Sequence, residues 1–562
     1  MCKITIFLGL FLTAGCAPSE EWWRDSFIYQ IYPRSFKDSN GDGVGDINGI
    51  TSKLEHLVDL NVSAFWISPF FKSPMSDFGY DISNFTDIDP IFGTLDDFSK
   101  LITKAKSLNL KVILDFVPNH SSNKHPWFQK SIQKIPPYDN YYVWRNATFV
   151  NGTRHPPNNW LSVTRGSAWT WNDVRQQYYL HQFSYFQPDL NFRSSALNQE
   201  MKDVLTFWTK RGVDGFRVDA IPQAFEDARF LDEPVKPNTG LPPDDPNTLE
   251  HIYTKNQKET YELVRSWRNH LDAMNGTRKI ILTESYITLD ELNQSMKYYE
   301  YGADIAFNFM FVTGFNNRST PTDFKDGIEK WLAHMPRGNY SSNWVVDNHD
   351  NNRVSARFGK RRADQLTMLS AVLPGVGVVY YGDEIGMEDT WLSYNETVDP
   401  IGCSAGPTGY NITSRDPART PFQWDNSTSA GFSTNKTTWL RVNPNYPILN
   451  LAAQKTVSHS HYSIFKKLVA LKKKLVIKTG SVEVISVADR VLGIVRRVSG
   501  SVPVVLLINF SNGYVIFDAS YQLKIPPRMT VYVSNFDSSL PEGVTINTPS
   551  LVLAPAASVI LM

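Results

Sequence analysis

The chain has 562 residues, 56 Lys and Arg against 56 Asp and Glu, and 13% aromatic residues. That length exceeds one ordinary core and calls for several domains. Zero net charge without a basic stripe or polybasic run argues against binding to nucleic acid or to an anionic membrane surface.

Residues 1–17 hold Lys3, an apolar run over 4–12 and small residues up to Cys16. This pattern predicts a cleaved signal peptide, too short to span a membrane. Its Thr13-Ala14-Gly15-Cys16 end also matches a bacterial lipoprotein site. Asn-X-Ser/Thr sequons, on the order of a dozen, exceed chance and predict a secreted glycoprotein. They include Asn61, Asn146, Asn151, Asn275, Asn395, Asn411 and Asn435; Asn119 is set aside because it falls at a strand tip. Cys2, Cys16 and Cys403 provide neither a disulfide framework nor zinc spacing.

From residue 27 onward, apolar runs alternate with amphipathic ones. Strands are predicted at 27–32, 62–67 and 111–116, with helices at 50–60 and 95–107, the pattern of a parallel sheet with crossover helices. The rhythm breaks over 121–190, rich in Pro, Asn, Trp and Tyr, which predicts an inserted loop-rich domain. Its aromatics Trp160, Trp169, Trp171 and Tyr185 suit local packing or platforms for sugar rings. A helix at 198–210 and strands at 213–218, 279–283, 305–309, 344–346 and 376–381 follow. Eight strands close a (β/α)8 barrel. Stretches 230–250 and 388–440 are too long for plain connections and read as functional loops. A helix at 463–474 ends the barrel, its Lys472-Lys473-Lys474 run reading as a solvated face that suits a helix C-terminus. Strands at 482–487, 491–498, 502–508, 528–533 and 551–562 predict a C-terminal antiparallel β-sandwich. The expected α/β organisation is a signal peptide at 1–17, a barrel at 18–120 and 191–477, an insert at 121–190 and the all-β domain at 478–562.

Four predicted strands carry acids at their C-terminal tips: 112–120 with Asp115 and His120, 215–219 with Arg217 and Asp219, 280–284 with Glu284, and 344–350 with His349 and Asp350. A barrel gathers such tips into one pocket, and paired Asp and Glu are what glycoside hydrolysis uses. Arg217, two residues before Asp219, shares its face and would keep it ionised. The apolar approach to Glu284 is consistent with a raised pKa. Alone, an Asp-His pair is a polar loop and a Glu after a strand is a helix cap, so the reading depends on the set converging. Asp38 to Asp46 places oxygen ligands at alternate positions among glycines, which suits calcium; a metal-free Asx-turn loop is the alternative.

The four acid-tipped segments resemble the four signature regions of the alpha-amylase family, glycoside hydrolase family thirteen, and the likeness covers nearly all the chain after residue 17. The resemblance implies Asp219 as nucleophile of a retaining mechanism and Glu284 as general acid, then base. It implies Asp350 holding sugar hydroxyls and His120 and His349 donating to the same ring; Asp115 reads as structural, pairing with Arg217 or with backbone nearby. It also implies a structural calcium held by Asp38, Asn40, Asp42, the Val44 carbonyl and Asp46, with no organic cofactor.

Gly79-Tyr80-Asp81 resembles the segment in which Tyr80 stacks under the sugar and Asp81 binds its terminal hydroxyls. The segment 418–424 resembles one in exo-acting α-glucosidases that supplies Arg419 beside that aspartate; a rim salt bridge is its plainer reading. Gln187-Pro188-Asp189-Leu190-Asn191 resembles the oligo-1,6-glucosidase and insect maltase branch, and Ala220, Ile221 and Pro222 follow the nucleophile where linkage preference is set. The implied protein is a secreted α-glucosidase acting on maltose, short malto-oligosaccharides and sucrose. An α-1,6-glucosidase, a sucrose hydrolase and a transglucosylase remain alternatives on the same site. A non-enzymatic transporter heavy chain of the same architecture is opposed by the intact acids and the short leader. No sequence feature sets the oligomeric state.

Overall fold

Eight short strands lie parallel: β1 (Phe27–Ile31), β2 (Ala64–Ile67), β3 (Lys111–Phe116), β4 (Gly215–Val218), β5 (Ile280–Thr283), β6 (Ile305–Ala306), β7 (Asn343–Val345) and β8 (Val376–Tyr380). The structure is a computed structural model describing residues 21–24 and 26–562. The predicted signal peptide and its lipoprotein alternative fall outside the described residues. The strands pair in the order β6-β5-β4-β3-β2-β1-β8-β7. The seam between β6 and β7 is bridged without a ladder. Val345 N–H donates to the Asn308 carbonyl at 3.3 Å, and the Asn343 side chain reaches the Ala306 carbonyl at 2.6 Å and the Asn308 N–H at 2.8 Å.

Alternation along each strand sorts the side chains. Ile28, Trp66, Ile113, Leu282, Val345 and Val378 fill the lumen, whereas Tyr29, Phe65, Val112, Phe216, Ile281 and Trp344 face the surrounding helices. Gly215 takes a lumen position where a Cβ would lie 2.4 Å from the Ile280 side chain and 2.8 Å from its carbonyl oxygen, so the close pairing of β4 and β5 needs glycine. The helix Leu95–Ser107 starts in a capping box between Thr94 and Asp97 and buries Phe98, Leu101, Ile102 and Ala105, one face at helical spacing.

Three local features differ from the sequence reading. β6 stops at Ala306, because Asn308 is used at the seam and the chain then turns through Met310–Gly314. Lys472 is fully buried, donating to the Ser370 and Leu373 carbonyls at 2.6 Å each, at the end of the helix Ala363–Val372; it satisfies carbonyls a helix end leaves over. The strand expected at 551–562 is two strands in different sheets, separated by Ala556 at φ 58°.

The insert holds a three-stranded antiparallel sheet of Trp144–Arg145, Gln177–Leu180 and Trp169–Asn172. Trp160 is buried in a three-ring cluster with Trp169 and Phe230, at 5.8 and 5.3 Å. After the barrel come β9 (Ser481–Val487), β10 (Val491–Arg497), β11 (Val504–Asn509), β12 (Val515–Phe517), β13 (Arg528–Ser534), β14 (Thr545–Asn547), β15 (Leu551–Leu553) and β16 (Ser558–Leu561). They form an antiparallel sheet ordered β9-β10-β11-β16-β13-β14 and a β12-β15 pair. One face, with Leu492, Ile494, Leu506 and Ile560, joins the barrel core; Val491, Val505, Leu507 and Val559 pack on the other side with Val515 and Leu553.

Candidate active site

The β4 register sets Arg217 beside Asp115 of β3 and Leu282 of β5. One step further, Asp219 N–H donates to the Phe116 carbonyl and Glu284 N–H to the Val218 carbonyl, both at 2.9 Å. Asp219 and Glu284 therefore emerge on neighbouring tips with the lumen's side-chain parity. Beneath them Arg217 holds Asp115 at 2.9 and 3.1 Å and forms ion pairs with both Asp219 and Glu284. Ala220 turns left-handed at φ 46°, which aims its N–H at Glu284 Oε2, 2.9 Å away.

Three carboxyl groups thus share one guanidinium in a buried site. Burial pushes Glu284 above the ordinary carboxyl range; Arg217 opposes this, while Asp219 and Asp350 add to it. Burial likewise raises Asp219, against Arg217, and a hydrogen bond from Glu284 lowers it. Asp350 goes the other way. Burial alone would raise it, but the guanidiniums of Arg415 and Arg419 draw it well below the usual range. Asp115 is fully enclosed, accepting from Arg217, from Trp66 Nε1 and from the Tyr80 hydroxyl, the last two at 3.2 Å.

Tyr80 lines the cleft and stacks on His349 (ring centroids 5.3 Å apart, 6° between planes), which stacks in turn on Tyr32. Gln30 Nε2 donates to His349 Nδ1 at 2.7 Å, leaving His349 Nε2–H for the Tyr80 hydroxyl at 2.6 Å. Burial lowers His349 to about 3, so the ring is neutral. His349 was expected to donate to the sugar; both its nitrogens are engaged by protein, and it supports Tyr80 from behind. His120 lines the cleft, but its Nε2 is directed to the Tyr80 carbonyl at 3.1 Å, and burial lowers it to about 4.

The largest departure concerns the pair expected to close the pocket. Asp81 is fully buried away from the cleft, accepting from Ser73 Oγ (2.9 Å), Ser76 N–H (3.1 Å) and Asp77 N–H (2.9 Å), and burial pushes it up to about 6. Arg419 is also buried, donating to the His349 carbonyl at 2.7 Å and to Asp350 at 3.0 Å. The cleft-lining pair is Asp77 and Arg415. Arg415 reaches Asp77 at 2.9 Å, Asp350 at 3.3 Å and Asp399 at 2.6 Å, while Gln187 Nε2 donates to Asp77 at 3.1 Å. Gly79, at φ 111°, turns the chain so that Tyr80 N–H bonds the Asp77 carbonyl at 3.0 Å. Asp77 and Tyr80 then share the cleft side and Asp81 falls behind. That glycine was the available signal, since residues one and four of a turn come together whereas neighbours diverge.

The cleft, of about 1290 Å³, is lined by Asp77, Arg415, Asp350, Asp219 and Glu284 together with residues of the excursion around 236–258 and of 286–297. Pro400 and Ile401 of the second excursion also line it. Tyr286 stacks on Phe309 at 4.1 Å along one wall. Trp160, Trp169, Trp171 and Tyr185 are not among the lining residues.

The loop expected to hold calcium lies outside the cleft lining and is closed by its own hydrogen bonds. Asp38 accepts from the N–H groups of Asn40, Gly41 and Gly43 and from Ser433 Oγ; Asn40 and Asp42 pair; Asp46 caps the helix Ile47–Ser52 through Gly49 N–H at 2.7 Å. Among the described residues no three His, Cys, Asp or Glu are placed to share one ion. The oxygen donors suit a hard cation, but the carboxylates are not drawn to one point.

Residues 30–480 match the model of the alpha amylase catalytic domain. The chain is 48% identical to an alpha-glucosidase of Apis mellifera over 520 residues, 92% of this chain and 90% of that protein. It is 48% identical to maltase 1 of Drosophila virilis over 526 residues, 91% of this chain and 82% of that one. The crystal structure of an alpha-glucosyl transfer enzyme, XgtA, superposes with a TM-score of 0.85 at 35% identity, covering 96% of this chain and 99% of that one.

Proposed function

The chain belongs to the alpha-amylase family of glycoside hydrolases, and from that premise we propose that it is a retaining, exo-acting α-glucosidase releasing glucose from the non-reducing ends of maltose, short malto-oligosaccharides and sucrose. The observation that carries this reading is the blocked end of the cleft. Arg415, bound at once to Asp77, Asp350 and Asp399, lines the cleft beside Asp350, and we read this cluster as the barrier to a longer glucan.

In the first half-reaction the ionised Asp219 attacks the anomeric carbon while Glu284 gives its proton to the departing oxygen, so the leaving sugar departs neutral and a glucosyl ester forms. In the second, ionised Glu284 takes a proton from water, the water oxygen attacks the same carbon, and Asp219 is released. Two inversions return the α configuration. Arg217 keeps Asp219 able to ionise between turnovers. Tyr80 offers a ring face to the glucose, and Asp77, Asp350 and Arg415 bind its hydroxyls.

A panel of maltose, isomaltose, sucrose and starch, with products separated, tests the reading. Glucose from maltose and sucrose, with slow loss of starch viscosity, is expected; rapid starch depolymerisation without glucose would refute the exo reading. The likeness to XgtA, whose described action is α-glucosyl transfer, favours one second reading, in which a sugar replaces water in the second step. Trisaccharide accumulation at high maltose would reveal it.

Secretion with N-glycans is part of the proposal. The side chains of Asn61, Asn146, Asn151, Asn275, Asn395 and Asn411 are exposed, while Asn119 is buried. Loss of apparent mass on enzymatic deglycosylation of the protein from its native source tests it. A structural calcium in the loop holding Asp38 to Asp46 is likewise proposed, with a rise in unfolding temperature on calcium addition as its test. Among the described residues no helix is long and apolar enough to cross a membrane.

A further inference from the structure

The cleft beyond the reacting glucose is bounded by a segment whose backbone is fixed to the nucleophile's own turn. Asn256 N–H donates to the Pro222 carbonyl at 2.8 Å, three residues after Asp219. On the other side, buried Glu233 holds Tyr253 N–H at 2.9 Å and the Thr254 hydroxyl at 2.8 Å. Between these two attachments lies Lys255, half-buried and lining the cleft. Its ammonium has no hydrogen-bond or ion-pair partner among the described residues. The adjacent Asn256 side chain is held on both atoms, its Nδ2 donating to Gln294 and its Oδ1 accepting from the Tyr298 hydroxyl, both at 2.6 Å. Burial lowers Lys255 below the usual lysine range; Glu291 and Glu233 oppose this from a distance and Lys236 adds to it.

Lys255 lines the same cleft as Asp77, Arg415, Asp219 and Glu284, and its neighbour Asn256 is tied to Pro222 on the nucleophile's turn; with the Asp77–Arg415 pair taken by the reacting glucose, the group that leaves is placed toward Lys255. An ammonium carries three donors and no acceptor, which suits the oxygen-rich face of a sugar. We propose that Lys255 is a specificity residue for the leaving group, donating hydrogen bonds to hydroxyls of the sugar that departs, and this rests on the α-glucosidase reading above.

The test compares maltose with phenyl α-glucoside, whose leaving group has no sugar hydroxyls, in the wild-type protein, Lys255→Met and Lys255→Arg. Lys255→Met should lower kcat/KM on maltose about tenfold or more, the loss of a charged donor, and leave phenyl α-glucoside within about twofold because the chemical step is untouched. Lys255→Arg should recover part of the maltose activity. An unchanged maltose rate would overturn the proposal. So would an equal fall on both substrates, which would mean Lys255 acts through the reacting site or the fold. Failure of the wild-type protein to cleave either substrate would instead overturn the α-glucosidase reading.

Discussion

Replacing Asp77 by Ala should cost catalysis far more than stability. A carboxylate offers about four acceptor positions; Arg415 and Gln187 occupy two at 2.9 and 3.1 Å, leaving two for hydroxyls of the terminal glucose. Each charge-assisted hydrogen bond contributes about 1.5–3 kcal/mol. Losing both is about 3–6 kcal/mol of transition-state binding, or roughly 10²- to 10⁴-fold in kcat/KM. Arg415 keeps Asp399 and Asp350, so the fold survives. Steady-state kinetics on maltose and a thermal melt measure the two effects. Asp81→Asn is the matched control. It replaces one of the two buried accepting oxygens, Oδ1 shared by Ser73 and Asp77 or Oδ2 taken by Ser76, with an amide nitrogen, so it should lower the melting temperature while keeping kcat/KM within about tenfold. A fall of less than tenfold in Asp77→Ala, or an equal fall in Asp81→Asn with an unchanged melt, would refute the assignment.

The pH profile follows from the two acids. Activity requires Asp219 ionised and Glu284 protonated, and burial raises both against the pull of Arg217. Hence kcat/KM should rise with pH through a value above the ordinary Asp range near ~3.9 and fall only above the ordinary Glu value near ~4.3, as apparent constants of the pair. Glu284→Gln should lose the falling limb on an activated aryl α-glucoside, whose departure needs no proton. Ala220→Val should strain the left-handed turn by about 1–3 kcal/mol and pull its N–H from Glu284, lowering kcat, whereas Ala220→Gly should retain it. Lys472→Met strips the charged donor from two buried carbonyls, which should destabilise by about 2–4 kcal/mol in denaturant unfolding with KM unchanged.

The barrel was legible because its information is periodic and local. Lumen and shell residues alternate along each strand, so Arg217 and Asp219 could be placed on one side from their spacing alone. The parity that sorts the core also carries the acids to the pocket. Pocket closure was not legible to the same degree, because it depends on turns. Asp81 and Arg419 are each four residues from the pair that lines the cleft, and Gly79 together with the short turn Asp416–Ala418 decides which member faces inward. Charge runs misled for a related reason. Three consecutive lysines look solvated, yet Lys472 sits on the buried face of the helix His461–Lys472 and ties off another helix. The roles of His120 and His349 were hidden too, since the partners that engage their ring nitrogens come from distant strands and loops.

The central claim is tested most directly by following the glucose released from phenyl α-glucoside by proton NMR, before mutarotation sets in, since the glycone is then the only glucose formed. The account predicts that the α anomer appears first and that Asp219→Asn abolishes its release. Initial appearance of the β anomer, or full turnover by Asp219→Asn, would contradict it.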